Sequence, residues 1–512
     1  MSLDSFQMQE LNTKLNSVLK SLVAPFSGEL TGAIVDSKGE LVQVIGSDPL
    51  HFATPEAVIK SLKKYVVPKV GELFVTNDPG SGNTRLCDLL FIQACYGRSQ
   101  AGDLRYYLVL QIGVPTLLNK KLDKMATSIE DEGFRVPPAP FEDENGLNEA
   151  IVDYLCQAGI SRDNLIQKVN EAKSSLKTAI HRLSLLETQM GAEKLNSGIA
   201  ALRKYSEKSM KKAIHEIPDG EYTAHDFLDN DGIEKTPVRI QCRLSVQGEN
   251  ILVSFQGSSK QVKGPFNCNY AMTLSTCFWF FRCLLKHDIP INSGAFNAFV
   301  VEAPEGTIVN GTGPAPMLGG YYETSNRIAD VLIGCLSKAL PLETPALNGS
   351  SSNITLMKFK DKVMIDTLGS GAGASKSKDG SDAINASLHN TPASSIEDIE
   401  SDYPIQVIHS GIRDGSGGEG RHKGGDGLSR GYKFLEPGFV MMLSDRRDYK
   451  PHGIFGGSAG LSGENILNRS GEKKKLHNEK NVFAVKPNDT LVINTPGGGA
   501  WGKVVEPSKE ET

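Results

Sequence analysis

The segment from Asn77 to Asp88 is the feature that most constrains the fold, because it is a polar loop between two apolar segments. Leu73-Phe74-Val75-Thr76 precedes it and Leu89-Leu90-Phe91-Ile92 follows it, and both are typical of buried strands. The loop reads Asn77-Asp78-Pro79-Gly80-Ser81-Gly82-Asn83-Thr84-Arg85-Leu86-Cys87-Asp88. Buried strands at both ends hold polar side chains in fixed positions, so we expect a functional site at this loop.

Length and charge narrow the class of protein. A chain of 512 residues exceeds the size at which a single core stops growing, so two or three structural parts are expected. Hydrophobic residues make up 39% and charged residues 22%, which is ordinary for a globular protein. The net charge of -5 and the pI of about 6.1 provide no basic surface for nucleic acid. We therefore expect no nucleic-acid partner.

The apolar periodicity divides the chain into three parts. Residues 1–142 begin with an amphipathic helix and continue as a strand-rich module with a hairpin near 29–45. Residues 143–216 have helical periodicity and predict two or three helices. Residues 217–512 are rich in glycine and short strands, with one helix near 269–286. The predicted fold class is α+β, a large mixed β-rich scaffold with an inserted helical block.

The sequence favours a cytoplasmic protein. The N-terminus has neither the basic start nor the apolar stretch of a secretory signal, and no apolar run is long enough to cross a membrane. The eight cysteines are scattered and form no CxxC pair. We expect most of them to be reduced thiols in the core, and we expect no zinc finger.

Nine segments resemble, in order, the motifs of the hydantoinase B/oxoprolinase family. Members of this family are subunits or domains of ATP-dependent cyclic-amide hydrolases and of acetone and acetophenone carboxylases. The segments are NDPGSGNTRLCD (77–88), EGFRVPP (132–138), IPDGEYTAHDFLDNDG (217–232), SFQGSSKQVKGPFN (254–267), ETSNRIADVLIGCL (323–336), GSGAGA (369–374), DGSGGEGRHKGGDGL (414–428), LSDRRDYKPHGIFGG (443–457) and NTPGGGAWG (494–502).

The resemblance implies a divalent metal site that this sequence lacks in part. In the family, a histidine and an aspartate of the loop, with a histidine after the next strand, bind the metal. Here Arg85 stands at the first histidine position and Asp88 keeps the carboxylate, while residues 113–118 contain no histidine. A guanidinium stays protonated and repels a cation. We therefore expect no metal bound by this chain, and Arg85→His alone should not restore one because the second histidine is also absent.

Three residues of the loop are the candidate catalytic residues: Asp78, Arg85 and Asp88. The favoured interpretation is a charge-balanced cluster that replaces the metal structurally. A second interpretation is that Arg85 binds a carboxylate or phosphate through two parallel hydrogen bonds. Cys87 as a nucleophile is less favoured, because no histidine lies nearby in sequence and apolar neighbours indicate burial.

Several other patterns have structural interpretations. The sequence from Gly497 to Val504 approaches a phosphate loop, but it ends in valine and leaves no room for a following helix. The acidic segment 226–231 departs from a calcium loop and favours a solvated turn. Glu323 and Arg327 lie four residues apart and predict an ion pair on one helix face. The segment 445–447 is expected either to anchor an anion or to bridge strands.

The resemblance implies a subunit of an ATP-dependent cyclic-amide hydrolase of the hydantoinase/oxoprolinase type, with a modified, metal-free site. It also implies a hetero-oligomer whose hydantoinase A-like ATPase partner carries ATP and Mg, and a small-molecule substrate. This chain has no nucleotide motif of its own, so no cofactor is assigned to it. Two alternatives stay open: a subunit of a biotin-independent ketone carboxylase of the acetone/acetophenone type, or a non-catalytic structural paralogue in such a complex.

Overall fold

The fold is α+β and contains four β-sheets with helices packed on them. A computed structural model describes residues 5–97, 102–118, 122–360, 362–385, 387–389, 391, 393–476 and 480–504. The predicted fold class is confirmed.

The described residues form ten α-helices, and the predicted helices at the N-terminus, in the helical block and near residue 270 are among them. Short 3₁₀ turns occupy Pro49–His51, Pro79–Ser81 and Pro115–Leu117, and a π-helical turn occupies Gly320–Thr324. The α-helices are α1 (Ser5–Val23), α2 (Thr54–Leu62), α3 (Ile129–Glu132), α4 (Glu149–Cys156), α5 (Arg162–Met190), α6 (Ala192–Ile214), α7 (Tyr270–Arg282), α8 (Ser293–Phe296), α9 (Ser325–Ala339) and α10 (Ile396–Asp402).

The strands form sheets of seven, four, four and five members. The first sheet has the order β2-β1-β5-β4-β3-β6-β7 and contains β1 (Leu30–Asp36), β2 (Leu41–Gly46), β3 (Leu73–Thr76), β4 (Asp88–Tyr96), β5 (Leu104–Gly113), β6 (Ala139–Asp143) and β7 (Gly146–Leu147). The second has the order β11-β10-β9-β8 and contains β8 (Gly220–Leu228), β9 (Val238–Gln247), β10 (Asn250–Ser254) and β11 (Val300–Glu302).

The other two sheets lie in the C-terminal part of the chain. The third has the order β13-β12-β16-β19 and contains β12 (Thr355–Phe359), β13 (Lys362–Asp366), β16 (Gly438–Met442) and β19 (Val482–Val485). The fourth has the order β14-β15-β20-β17-β18 and contains β14 (Ile405–Arg413), β15 (Gly427–Phe434), β17 (Glu464–Arg469), β18 (Glu472–Leu476) and β20 (Thr490–Asn494).

Strand β4 lies inside the first sheet and is buried on both faces. Leu90 and Ile92 point into the core shared with the second sheet, α7 and α9, whereas Leu89 and Phe91 point into the core shared with α1, α5 and α6. A strand covered on both faces has no polar side to alternate with, which explains its continuous apolar sequence. The polar loop before β4 is thus attached to a strand that is buried on both faces.

Helix α5 packs against the first sheet through a stripe that recurs every three or four residues. Leu165, Val169, Leu176 and Leu183 are all buried, and α1 contributes Leu15 to the same core. This spacing places the apolar side chains on one face of a 3.6-residue helix. The two or three helices predicted within residues 143–216 are found as α4, α5 and α6.

The acidic segment 226–231 is not a solvated turn, and that expectation is wrong. Asp226, Asp229 and Asp231 are all buried. Asp229 accepts a hydrogen bond of 2.7 Å from the backbone N–H of Arg447, and Asp226 pairs with the Arg446 guanidinium. Segment 445–447 therefore bridges this turn to the rest of the core, with sequence separations of 218 and 220 residues between donor and acceptor.

The expected ion pair between Glu323 and Arg327 is also absent. Arg327 donates to Asp330 at 2.6 Å and to Asp445 at 3.3 Å, whereas Glu323 accepts from the backbone N–H of Ser352 at 3.0 Å. Glu323 belongs to the π-helical turn before α9. A π-helical turn holds more residues than an α-helical turn, so residues four apart no longer share one face.

The C-terminal glycine cluster serves close backbone packing. A Cβ atom at Gly497 would lie 2.0 Å from the carbonyl oxygen of Ser416, and one at Gly498 would lie 2.0 Å from that of Ala372. Only glycine fits such an approach. The structural interpretation of this segment, in preference to a phosphate loop, agrees with these contacts.

All eight cysteines are unpaired, and Cys87, Cys95, Cys242, Cys268, Cys277 and Cys335 are buried. The expectation that most of the cysteines lie in the core agrees with this burial. None of the helices in the described part of the chain combines the length and hydropathy needed to cross a bilayer.

Glu132 lies buried where the end of α3 meets residues 317–318. Burial raises its pKa from 4.5 to about 8, although it accepts hydrogen bonds from the backbone N–H groups of Met317 and Leu318. The folded protein therefore holds this proton up to about pH 8, whereas the unfolded chain loses it near pH 4.5. Its contribution to stability is complete below pH 4.5 and is lost as the pH rises towards 8.

Glu132→Gln is expected to keep the hydrogen bonds and remove this titration. The free energy of unfolding of the variant, minus that of the wild type, should increase as the pH rises from 5 to 8. Urea unfolding at several pH values measures the difference. A difference that stays constant over this range would contradict the assignment, since other groups titrate equally in both proteins.

Candidate functional site

Arg85 is the centre of a buried cluster at the end of the polar loop. Its Nε donates to Asp88 Oδ2 at 2.8 Å and its Nη2 donates to Asp88 Oδ1 at 2.9 Å, which makes a two-point ion pair. Nη2 also donates to Glu29, the residue just before β1. Arg85 and Asp88 are only 4% and 1% exposed. Two carboxylates thus surround one guanidinium. Burial opposes the charged form of Arg85, but the charge of Asp88 outweighs it and raises the pKa of Arg85 above its usual value.

Two tyrosines of the π-helical turn complete the surroundings of the guanidinium. The Cζ atom of Arg85 lies 4.0 Å from the ring centroid of Tyr321, which is a cation–π contact. Nη1 of Arg85 donates to the Tyr322 hydroxyl oxygen at 2.7 Å. Burial raises the pKa of Tyr322 although Arg85 opposes this, so its hydroxyl keeps its proton. The Tyr322 hydroxyl therefore remains able to donate a hydrogen bond.

His51 reaches the same cluster from the 3₁₀ turn after β2. Its Nδ1 lies 2.9 Å from the hydroxyl of Thr84 and 2.8 Å from Nε2 of Gln111, and the Thr84 hydroxyl lies 3.1 Å from Asp88. The imidazole is 2% exposed. These contacts join β5, the polar loop and the 3₁₀ turn in one network.

A second layer of polar groups holds Tyr321. Its hydroxyl donates to Asp48 Oδ2 at 2.5 Å, and His389 Nε2 lies 3.1 Å from its backbone oxygen. Nδ1 of His389 lies 3.5 Å from Asp48. Burial alone would raise the pKa of Asp48, but His389, His51 and the Tyr321 hydroxyl together lower it. His389 thus connects the C-terminal part of the chain to the site.

The loop is held in place by its own side-chain amides. Nδ2 of Asn83 donates to the backbone oxygens of Arg85 and Asp88, and Asn77 donates to those of Leu86 and Phe134. Such bonds satisfy backbone groups that have no strand partner. The position of Arg85 is therefore fixed by backbone contacts as well as by its ion pairs.

The structure brings Arg85 and Asp88 together but places Asp78 in another contact. Asp78 accepts from the backbone N–H of Gly80 at 2.9 Å, which caps the turn Pro79–Ser81, and from Nε of Arg135 at 2.8 Å. The carboxylate that joins Asp88 around Arg85 is Glu29. A catalytic role for Asp78, Arg85 and Asp88 stays a prediction.

Two interpretations of the loop are weakened by these contacts. Burial raises the pKa of Cys87 to about 12, so almost none of it is thiolate at neutral pH. Arg85 already forms two parallel hydrogen bonds with Asp88, through Nε and Nη2. Its guanidinium also donates to Glu29 and Tyr322. Little of the guanidinium remains for an anionic ligand.

Three side chains of the cluster have the chemistry of metal ligands. Glu29, His51 and Asp88 each offer one ligand atom, and these atoms lie within 4.8 Å of one another. However, the guanidinium of Arg85 already donates to both carboxylates. A divalent cation would lie next to this fixed positive charge, so the residues as they stand do not fit the family's metal.

Five residues of the site were not predicted from the sequence: Glu29, His51, Tyr321, Tyr322 and His389. One sequence feature could have indicated His51, since it is the only histidine that precedes His181. Tyr321 and Tyr322 directly precede the segment 323–336, but nothing in the sequence links that segment to Arg85. Arg85 and Tyr322 are 237 residues apart in the sequence, and a contact between such distant residues leaves no local sequence pattern.

The sequence profile of the hydantoinase B/oxoprolinase family matches residues 9–504. The 5-oxoprolinase of Saccharomyces cerevisiae is 28% identical over 96% of this chain, which spans only 40% of that protein. The B subunit of a putative D-/L-hydantoinase from a Pseudomonas species is 26% identical, over 98% of this chain and 88% of its own length. The chain therefore matches most of a subunit in one relative and part of a longer protein in another.

Two solved structures share the fold. The ATP-dependent caprolactamase of Pseudomonas jessenii superposes with a TM-score of 0.86 at 19% identity, over 98% of this chain and 92% of that one. A nucleotide-free acetone carboxylase superposes with a TM-score of 0.83 at 16% identity, over 96% of this chain and 76% of that one. At these identities the likeness concerns the fold alone.

Proposed function

Because the chain belongs to the hydantoinase B/oxoprolinase family, we propose that it is a subunit of an ATP-dependent enzyme that opens a cyclic amide, with the Arg85 cluster as its active site. The observation that carries this proposal is a fixed guanidinium held between two carboxylates and a tyrosine hydroxyl. In this proposal a hydantoinase A-like partner binds ATP and Mg and phosphorylates the amide oxygen. This chain then assists the attack of water.

The cluster offers the two functions that such an attack requires. In this proposal the Tyr322 O–H group stabilises the negative charge that develops on the substrate oxygen, and Arg85 strengthens this donor through its own hydrogen bond to the Tyr322 hydroxyl oxygen. Glu29, whose side chain is 36% exposed, is the carboxylate that can accept a proton from the attacking water. A guanidinium cannot generate a bound hydroxide as a metal does, so the carboxylate carries the role of the base.

The curated relatives support this class of reaction, since they include a 5-oxoprolinase and one subunit of a putative hydantoinase. The two structural neighbours, an ATP-dependent caprolactamase and an acetone carboxylase, support the hydrolase and the ketone carboxylase alternative equally, through the fold alone. A hetero-oligomer is supported by the Pseudomonas relative, whose name describes it as a subunit.

A non-catalytic role is a second candidate, and one observation favours it. Arg85 is 4% exposed and its donors are directed to neighbouring side chains, as in a cluster that only stabilises the fold. In that case the chain would position a catalytic partner.

The test is ATP hydrolysis that depends on a cyclic amide. The chain is recovered with its partner subunit, and 5-oxoproline, hydantoin and caprolactam are supplied as substrates. Glu29→Gln is expected to lower the amide-dependent rate by about 100-fold or more, because it removes the base but keeps the size and a hydrogen-bond acceptor for Arg85. Glu10→Gln, an exposed surface change, is the matched control and should not alter the rate.

Unchanged amide-dependent turnover in Glu29→Gln would contradict the assignment of the base. A complex that turns over ATP with acetone and bicarbonate, and not with any cyclic amide, would favour the ketone carboxylase. A complex with full activity in Glu29→Gln, Tyr322→Phe and Arg85→Lys would favour the non-catalytic role.

A further inference from the structure

A cavity of about 300 Å³ lies between β8, α9 and residues 452–454. It shares no lining residue with the Arg85 cluster. Most of its lining comes from the segments 217–232, 323–336 and 443–457, which the proposed function does not use. Its volume is at the lower end of the range for small-molecule sites.

The floor of the cavity is a rigid and electrically balanced ion cluster. Nη2 of Arg446 lies 2.7 Å from both Asp226 and Asp330, and Nη1 of Arg327 lies 2.6 Å from Asp330. Both arginines are fully buried. Because each floor carboxylate is paired with a guanidinium, neither is available to bind a cation or an amine.

The rim of the cavity carries groups that donate hydrogen bonds. Lys338 gives one hydrogen bond, to the backbone oxygen of Thr223, and an ammonium has two further donors. The imidazoles of His225 and His452 also line the cavity, and neither forms a hydrogen bond with the described part of the chain. The rim therefore offers positive charge and unused nitrogen atoms.

The walls between floor and rim are apolar. Val331 and Ile333 of α9 line the cavity together with Ile454 of the loop. A free phosphate has no apolar part to pack on this lining, whereas the alkyl chain of an organic acid does. We propose that this cavity binds a small organic carboxylate, whose apolar part packs on Val331, Ile333 and Ile454 and whose charged group contacts Lys338 and His452.

Isothermal titration calorimetry of the full chain tests the proposal. Three probes are compared. Butyrate has an alkyl chain and a negative charge, butylamine has a similar alkyl chain and a positive charge, and inorganic phosphate has a negative charge and no alkyl chain. Butyrate is expected to bind at one site, more tightly than either of the others. Lys338→Met should weaken butyrate binding about tenfold, because a charge-assisted hydrogen bond is lost, whereas Lys286→Met, an exposed lysine paired with Glu216, should leave it unchanged.

His452→Gln provides a second variant, since Lys338 also holds the backbone of β8. It is expected to weaken butyrate binding while the thermal unfolding temperature stays that of the wild type. Any one of three results would overturn the proposal: butyrate does not bind, butylamine or phosphate binds as tightly as butyrate, or Lys338→Met and Lys286→Met bind butyrate with equal affinity. Neither ATP nor a cyclic amide is present, so this result is independent of the proposed catalytic function.

Discussion

Arg85→Met is expected to lower the free energy of unfolding by about 3–5 kcal/mol. The change removes the only guanidinium that contacts Asp88 within the described residues, and it leaves that carboxylate 1% exposed with the Thr84 hydroxyl as its remaining side-chain donor. A buried charge without its partner costs far more than the pair itself contributed. Chemical denaturation followed by circular dichroism measures the loss.

The double variant Arg85→Met/Asp88→Asn separates this effect from loss of packing. Neutralising the carboxylate should recover a large part of the lost stability, because no buried charge then remains unpaired. Equal stability of the single and the double variants would mean that Asp88 is already protonated or hydrated. The account of a charge-balanced cluster would then be wrong.

Arg85→His is expected to convert the cluster into a divalent metal site. The change removes the guanidinium and places an imidazole beside Glu29, His51 and Asp88, whose ligand atoms lie within 4.8 Å of one another. Four nitrogen and oxygen ligands are what zinc requires. After dialysis against zinc, elemental analysis should find about one ion per chain in the variant and almost none in the wild type.

From the sequence, Arg85→His alone was not expected to restore a metal site, because no second histidine follows the next strand. The position of His51 in the structure changes this expectation. His51 supplies the missing imidazole from a 3₁₀ turn and precedes its loop contact Thr84 by 33 residues. The matched control is Arg85→His/His51→Gln, which should lose most of the zinc. Equal zinc content in both variants would show that His51 is not a ligand, and none in either would contradict the geometry of the cluster.

The helices and strands that could be predicted from the sequence are those in which apolar residues recur at a regular spacing. The helical periodicity of residues 143–216 predicted two or three helices, and Leu183 and Leu186, three residues apart, are both buried on α5. The hairpin near 29–45 and the strands on either side of the polar loop were predicted in the same way. In each case burial on one or both faces leaves a pattern within a few residues.

The site was predictable only where it is local. Arg85 and Asp88 are three residues apart, and their pairing is confirmed. Asp78 was expected in the same cluster but pairs with Arg135, because the turn Pro79–Ser81 directs its carboxylate elsewhere. Glu29, His51 and Tyr322 come from three other elements, and the packing of those elements on the loop has no signature in a single sequence.

The buried ion cluster that includes Arg327 and Asp330 of α9 could not be predicted from the sequence for the same reason. Asp226 and Asp229 looked like parts of a solvated turn because acidic residues next to glycine are usually exposed. Their partners, Arg446 and the backbone of Arg447, lie 220 and 218 residues later in the chain. Burial of a charged group depends on such distant donors, so composition alone could not predict it.

We propose that this chain supports the opening of a cyclic amide with Arg85 in the place of a metal. The most direct measurement is the amide-dependent ATP turnover of the complex, together with its transition-metal content, after chelation and return to buffer that contains only magnesium. We predict full turnover with less than about one tenth of an ion per chain. Turnover that disappears on chelation and returns in proportion to about one bound zinc or manganese ion per chain would contradict the account.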